Sequence, residues 1–471
     1  MSKVVLGGGL GGLSAAYYLA KTAPKPAITL LESSARTGGW VKSTPQQNGI
    51  VFEQGPRTLR ISGDAGLNTL QLVEDLNLGN KILPIVSSHP AAKNRLIYAH
   101  GRLNSLPNTG IQFITKSTLF SKPMGAYLFN DLFAKKKDVH DEPIYDFVER
   151  RFGKEIAENL ISPMICGICA GNAHEISVKF LMRKMFELEQ GYGSLIVGAF
   201  KYFSAQRKVK KPKKVFGPLA VKAKQQKWSI YSFTGGCETL PLALSENLLK
   251  NNVNIKLNTS CKSVTFDGKQ ATLTLSDNKT ISTDHVISAV PSAVLGALVQ
   301  NQHPDLGNLL TNLAKNVSVG VVNLHFKDNI LKDQAFGVLV APKENLPILG
   351  IIFDSCCFSG KSSGTALTVM MGGYWFEQHF GKNPTEQKLL EIAISQVKHI
   401  LNVQSEPETS KVNILHQCLP QYIVGHDDTL QKINDYIDTH NLPISLCGAS
   451  YYGVGINDVI MSARNAVNKI A

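Results

Sequence analysis

One short run near the amino terminus limits what this chain can fold into. Residues 7–12 read Gly-Gly-Gly-Leu-Gly-Gly, between an apolar stretch at 3–6 and a stretch at 13–21 with apolar residues at helical spacing. The pattern predicts strand, tight turn and helix, with Gly7, Gly9 and Gly12 in the G-x-G-x-x-G frame. Each glycine has its own physical task. Gly7 permits the turn, Gly9 lets the backbone approach a pyrophosphate, and Gly12 lets the helix pack close to the strand. Phosphates then meet free N–H groups and the positive end of the helix dipole.

A glycine turn alone is a weak signal. Here a second apolar run, AITLL at 27–31, follows and ends in Glu32, 20 residues after Gly12. A carboxylate in that place accepts hydrogen bonds from ribose hydroxyls and repels a 2′-phosphate. The complete strand–turn–helix–strand–acid order predicts a dinucleotide-binding α/β domain.

The residues after Glu32 separate FAD from NAD. Arg36, Gly38, Gly39 and Trp40 complete an E-x-x-x-R-x-G-G arrangement, and residues 52–60 read FEQGPRTLR. Both segments resemble the amine-oxidase superfamily of FAD flavoproteins, which includes protoporphyrinogen oxidases and phytoene desaturases. The resemblance implies that Gly7, Gly8, Gly9, Leu10, Gly11, Gly12, Glu32, Arg36, Gly39 and Trp40 bind the cofactor. Arg36 suits a phosphate by charge and fork geometry. By the same resemblance Gly55, Pro56, Arg57 and Thr58 pass close to the isoalloxazine ring.

A flavoprotein of this kind returns to its nucleotide domain twice more. Residues 232–244 carry the superfamily's F-x-G-G-x-x-x-L segment as Phe233, Gly235, Gly236 and Leu240. A strand and a hairpin around Asp267-Gly268 are predicted next, and the resemblance puts the backbone of Cys261 beside the adenine. Residues 284–291 give a further strand that stops at Pro291. The last visit, 442–470, reads as strand, glycine turn and helix. Gly453, Val454 and Gly455 there resemble the closing motif, in which a helix N-terminus faces the flavin's pyrimidine end. Asn457 and Asp458 are expected to cap that helix.

Further segments, among them 89–107, 162–177 and 367–375, resemble the animal-type protoporphyrinogen oxidase branch. That branch implies oxygen-dependent, six-electron oxidation of protoporphyrinogen IX to protoporphyrin IX, the penultimate step of heme synthesis, with FAD as acceptor and three O2 reduced to hydrogen peroxide. The alternative is another oxidase or desaturase of the superfamily. A flexible tetrapyrrole carrying propionates needs apolar walls and a cation. Arg95 is the propionate candidate, and Phe336, Gly337, Leu339 and Met370 are candidate walls. Cys447 lies on a strand before Gly448, so FAD is expected to be held non-covalently. No His, Asp or Glu earns the role of general base, and His426 reads as structural.

The expected fold class is α/β plus α: a discontinuous FAD-binding Rossmann-like domain (1–88, 229–292, 427–471), a mixed-sheet substrate domain (89–98, 207–228, 293–426) and a helical membrane-associated domain (99–206). No apolar run is long enough to span a bilayer. Within the helical part Phe113, Phe120, Phe129 and Phe133 among lysines fit a patch lying on a lipid surface. The formal charge is +13, and residues 207–227 hold nine basic side chains and no acid. No recognition helix or zinc module supports a nucleic-acid partner. The eight cysteines are scattered; Cys166 and Cys169, at CxxC spacing without a second pair, read as a buried structural pair, with no metal expected. The resemblance further implies a peripheral position on the intermembrane-space side of the mitochondrial inner membrane, and raises a homodimer and handover of product to ferrochelatase.

Overall fold

The computed structural model describes residues 1–46, 49–208, 217–358 and 364–470. Positions 209–216 of the lysine-rich run lie outside the described residues. Two compact units are each assembled from separated stretches: 1–86, 216–315 and 428–471 in one, 87–215 and 316–427 in the other.

The first unit is built on a five-stranded parallel sheet. Its order is Asn254–Lys256, Ala27–Leu31, Ser2–Leu6, His285–Ser288 and Ile444–Leu446. Alternate residues of these strands leave on opposite faces. Val5, Leu30 and Ile287 face a cluster that includes the helices Leu10–Ala20, Thr239–Lys250 and Ile456–Asn468. Val4, Leu6, Leu31 and Val286 face the antiparallel sheet Cys261–Asp267, Gln270–Leu275 and Thr280–Thr283. Both faces are covered, which explains the near-continuous apolar strands. The Gly268 turn of the expected hairpin is observed, with φ +56.

The second unit holds a seven-stranded sheet in the order Thr409–Gln421, Lys315–Phe326, Thr365–Gly373, Ile348–Ile352, Gly337–Val340, Leu96–Ala99 and Arg102–Ser105. Along Lys315–Phe326, Val319 and Val321 pack on one side and Val322, Leu324 and Phe326 on the other. The second side is covered by the helix Glu386–Leu401 through Leu389, Ala393 and Val397. The first side meets the helix Ser162–Cys169, which contributes Cys166.

Residues 110–208 form helices, among them Gly110–Ile114, Met124–Phe133, Ile144–Phe152, Arg183–Tyr192 and Leu195–Lys208. A buried ion network ties several of them. Arg151, fully buried, pairs with Asp131 at 3.1 Å and with Glu189. Arg150 joins Glu189 at 2.5 Å and also Glu142. Asp131 in addition accepts from the Ser194 hydroxyl at 2.6 Å and the Ile196 N–H at 3.0 Å. A buried carboxylate with one cation and two hydrogen bonds is compensated; removing a partner from such a set costs about 3–5 kcal/mol. Phe113, Phe129 and Phe133 are exposed, but Phe120 is not: it is 3% exposed and packs on Tyr127, ring centres 5.8 Å apart. No helix among the described residues is long and apolar enough to cross a membrane.

Candidate active site

The glycine turn has the geometry its sequence demands. Gly7 lies at φ +96, in the left-handed half of backbone space. A Cβ on Gly12 would stand 1.8 Å from the Gly7 carbonyl oxygen and 3.3 Å from Val5, so only glycine lets this helix sit so close to its strand. Gly9 is different. A Cβ there meets nothing nearer than Gly39 Cα at 3.9 Å. Gly9 is also the N-cap of the helix Leu10–Ala20 and gives no side-chain cap bond. Leu10, Gly11 and Gly12 are buried in the first turn. A buried helix start without a capping side chain, beside open space, fits an anionic ligand.

A second helix begins beside the first. A Cβ on Gly11 would lie 3.3 Å from Val459 and 3.4 Å from Gly448, which brings the start of Ile456–Asn468 against the start of Leu10–Ala20. Gly453 has φ +132, and Gly455 is the N-cap, again without a side-chain bond. The expectation that Asn457 and Asp458 cap this helix is corrected for Asn457 and holds for Asp458. Asn457 falls inside the first turn and its Nδ2 donates to the Arg60 carbonyl at 2.7 Å instead, whereas the Asp458 carboxylate reaches back to accept from the N–H of the N-cap Gly455. Val454 sits in the turn between the two glycines, half-buried.

Glu32 ends the second strand and is held firmly. Its carboxylate accepts from the Gly8 N–H at 2.6 Å and the Ser34 N–H at 2.8 Å. Its carbonyl accepts from Thr259 N–H at 2.8 Å, two residues before Cys261. Cys261 is half-buried on its strand, and its Sγ donates to the Ser263 carbonyl at 3.2 Å. Gly38 N–H donates to the Gly8 carbonyl at 2.8 Å, so the Gly38–Gly39 turn lies directly on the glycine loop. Arg36 braces that turn. It donates to the Thr37 carbonyl at 2.9 Å and to the Gly39 carbonyl, and pairs with Glu238 at 3.2 Å. Glu238 lies in the F-x-G-G segment and was not singled out from sequence; its partner lies 202 residues away. Glu238 also accepts from Ser43 N–H at 2.9 Å.

Trp40 is 46% exposed, and a Cβ on Gly55 would sit 2.2 Å from the Trp40 carbonyl. Pro56 is exposed, Arg57 buried and Thr58 half-buried. Cys447 is fully buried, and burial pushes its thiol up to about 12. Such a thiol is a poor nucleophile.

The second unit gathers the other candidates. Ile97, Leu339, Gly350, Met370 and Val321 are register partners across five neighbouring strands. Leu339 and Met370 therefore flank a position without a side chain, and both are half-buried. Gly350 cannot be larger, because its Cβ would lie 2.4 Å from the Val338 carbonyl. Gly337 likewise faces the Ile351 carbonyl at 2.2 Å. Arg95 donates to the carbonyls of Ala91 at 2.7 Å and Asn94 at 2.9 Å, and its guanidinium lies 5.3 Å over the Phe336 ring. His426 is 1% exposed, packed on Phe180 and Tyr422. Cys166 and Cys169 are both buried; burial drives both thiols up, that of Cys169 to about 12.

Residues 10–471 match the family profile of flavin containing amine oxidoreductases. The chain belongs to that family. Within it, the chain is 34% identical to the human protein named protoporphyrinogen oxidase over 473 residues, covering 98% of this chain and 97% of the human one. The Schizosaccharomyces pombe protein of the same name is also 34% identical, covering 100% of this chain and 99% of its own. These identities place the chain among the protoporphyrinogen oxidases. A solved Exiguobacterium structure, provisionally assigned the same activity, superposes with a TM-score of 0.78 at 23% identity, covering 100% of this chain and 98% of that one. That similarity confirms the fold of the family.

Proposed function

We propose that this chain oxidises protoporphyrinogen IX to protoporphyrin IX, using non-covalently bound FAD and O2. The observation that carries the reading is end-to-end identity to the human and fission-yeast proteins, together with a glycine loop that leaves open space at a helix start. When bound, FAD supplies the hydride acceptor for each of three two-electron steps and is reoxidised by O2 to give hydrogen peroxide.

The chain's own residues do the rest. The N–H groups at the starts of the helices Leu10–Ala20 and Ile456–Asn468 hold the pyrophosphate and the pyrimidine end. Glu32 receives the ribose hydroxyls, oriented for this by Gly8 and Ser34. Arg36 fixes the Gly38–Gly39 turn, and Trp40, Gly55, Pro56, Arg57 and Thr58 continue the cofactor wall. Phe336, Leu339 and Met370 give the macrocycle an apolar wall that keeps water out, and Gly337 and Gly350 keep that wall flat. Arg95 receives a propionate. Proton loss from a pyrrole N–H goes to solvent, so no general base is assigned. The exposed apolar helices in 110–208 rest on a membrane, the mitochondrial inner membrane by relationship, as a peripheral protein.

The test is stoichiometric. Purified protein loaded with FAD is given protoporphyrinogen IX in air, with oxygen uptake and porphyrin fluorescence followed together. Three O2 consumed per porphyrin formed supports the proposal. Turnover of an amine or a carotenoid precursor with no porphyrin formed would return the chain to the wider superfamily.

A further inference from the structure

Three of the cofactor segments meet at one carboxylate. Glu238 stands at the start of the helix Thr239–Lys250 as its N-cap residue, yet its side chain makes no cap bond to that helix. Both oxygens are engaged elsewhere. Oε1 accepts from Arg36 Nη1 at 3.2 Å, and Oε2 accepts from the Ser43 N–H at 2.9 Å. The Glu238 N–H in turn donates to Ser43 Oγ at 3.1 Å. One residue therefore grips two points of the amino-terminal stretch, 202 and 195 residues away in sequence.

The first limb runs to the glycine loop. Arg36 Nη1 also donates to the carbonyls of Thr37 at 2.9 Å and Val41 at 3.4 Å, and Nη2 donates to that of Gly39. A Cβ on Gly38 would lie 3.1 Å from Arg36 Nη1 and 3.4 Å from Pro241, so the helix start, the arginine and the turn pack with little slack. An arginine placed only to attract phosphate would keep its fork open. This one is built into the frame of the turn, and Glu238 sets its direction.

The second limb runs towards Gly55–Thr58. Ser43 Oγ donates to Glu53 at 2.7 Å, and Glu53 accepts from the Cys237 N–H at 2.7 Å. These bonds close a ring through Ser43, Glu53, Cys237 and Glu238. Glu53 is buried and is the register partner of Ser43 in the strand pair Ser43–Pro45 and Val51–Glu53. The Gln54 N–H donates to the Lys42 carbonyl at 2.9 Å, and Gly55 follows directly. The Arg36–Glu238 pair is partly exposed on both sides, and an ion pair of that kind does little for the stability of a fold. Its effect is one of placement.

We infer that Glu238 is a positioning residue for FAD: through Arg36 it seats the Gly38–Gly39 turn on the glycine loop, and through Ser43 and Glu53 it sets the segment Gly55–Thr58. The inference rests on the cofactor placement given above and adds a residue that acts through others.

The test uses the full chain, deflavinated and titrated with FAD, as wild type, Glu238→Gln, Arg36→Ala and the double variant, with Ser43→Ala for the second limb. Glutamine keeps the side-chain length and an acceptor for Ser43 but removes the charge that orients Arg36. FAD affinity in Glu238→Gln should fall about 10-fold, the scale of one bond to a charged group. In the Arg36→Ala background the same change should cost less than about 2-fold, because Glu238 then has nothing to orient. Ser43→Ala should bind FAD within about 2-fold of wild type, with the visible circular dichroism of the bound flavin altered, since the segment beside the ring is no longer tied to Glu238. A contact that only holds the fold together would leave that signature unchanged. Wild-type affinity in Glu238→Gln, an equal loss in both Arg36 backgrounds, or unchanged dichroism in Ser43→Ala overturns the inference while the cofactor placement stands. If Glu238→Gln does not fold, the dichroism of Ser43→Ala decides alone. A wild-type chain that takes up no FAD overturns the placement and this inference together.

Discussion

Replacing Gly9 by alanine separates holding the cofactor from holding the fold. The backbone there is at φ −68 and ψ 179, which any residue adopts. The new Cβ meets nothing closer than 3.9 Å. Alanine is a poorer N-cap than glycine by up to about 1 kcal/mol, but it restricts the unfolded chain, worth about 0.4–1 kcal/mol in the other direction. The net effect on stability is within about 0.5 kcal/mol. The cofactor feels the change differently. A phosphate oxygen about 2.9 Å from a loop N–H would be crowded by the methyl group. Overpacking of this kind costs about 1–3 kcal/mol, or roughly 5- to 150-fold in affinity. FAD titrated onto deflavinated protein, read by quenching of flavin fluorescence, measures the affinity; thermal unfolding of the same apoprotein measures the fold. Gly12→Ala is the counterpart, since its Cβ would stand 1.8 Å from the Gly7 carbonyl. It should lose both cofactor and several degrees of thermal stability. Wild-type FAD affinity in Gly9→Ala would refute the placement of the pyrophosphate on this loop.

Three further outcomes are expected. Glu32→Gln removes charged acceptors from Gly8 and Ser34 N–H groups and from the ribose; at about 1.5–3 kcal/mol for a bond to a charged group, FAD affinity should drop at least about 10-fold in the same titration. His285 is half-buried beside Lys3, and desolvation first, then that charge, pulls its imidazole down from 6.5 to about 4. A native value below the unfolded one means that stability is complete above pH 6.5 and falls as pH drops towards 4. By linkage the loss reaches about 3 kcal/mol, and His285→Gln should flatten this limb of a denaturant-midpoint profile. Met370→Ala shortens the apolar wall, which should raise KM for the porphyrinogen about 5- to 30-fold for about 1–2 kcal/mol of lost burial, with flavin content unchanged.

The nucleotide-binding half was legible because its constraints are local. Gly7, Gly9 and Gly12 each do one steric task within six residues, and Glu32 lies one helix away. The apolar runs of the seven-stranded sheet were equally readable. What escaped is what depends on distant pairing. Leu96–Ala99 lies parallel to Gly337–Val340, a neighbour no local pattern announces. Glu238 pairs with Arg36 across the fold for the same reason. Phe120 and Phe129 look alike in sequence, yet Tyr127 packs on the one, which is 3% exposed, while the other is 64% exposed. Helical spacing reports that a side is apolar; whether another element lies over it is settled only by the assembled chain. Asn457 lies two residues past the N-cap, because Gly455 already supplies the extended conformation that starts the helix.

The most direct measurement is the visible spectrum of the FAD-loaded protein mixed with protoporphyrinogen IX under argon. The account predicts that the yellow flavin band bleaches at once and that admitting air restores it with the rise of porphyrin fluorescence. A band that persists in the presence of the porphyrinogen would contradict it.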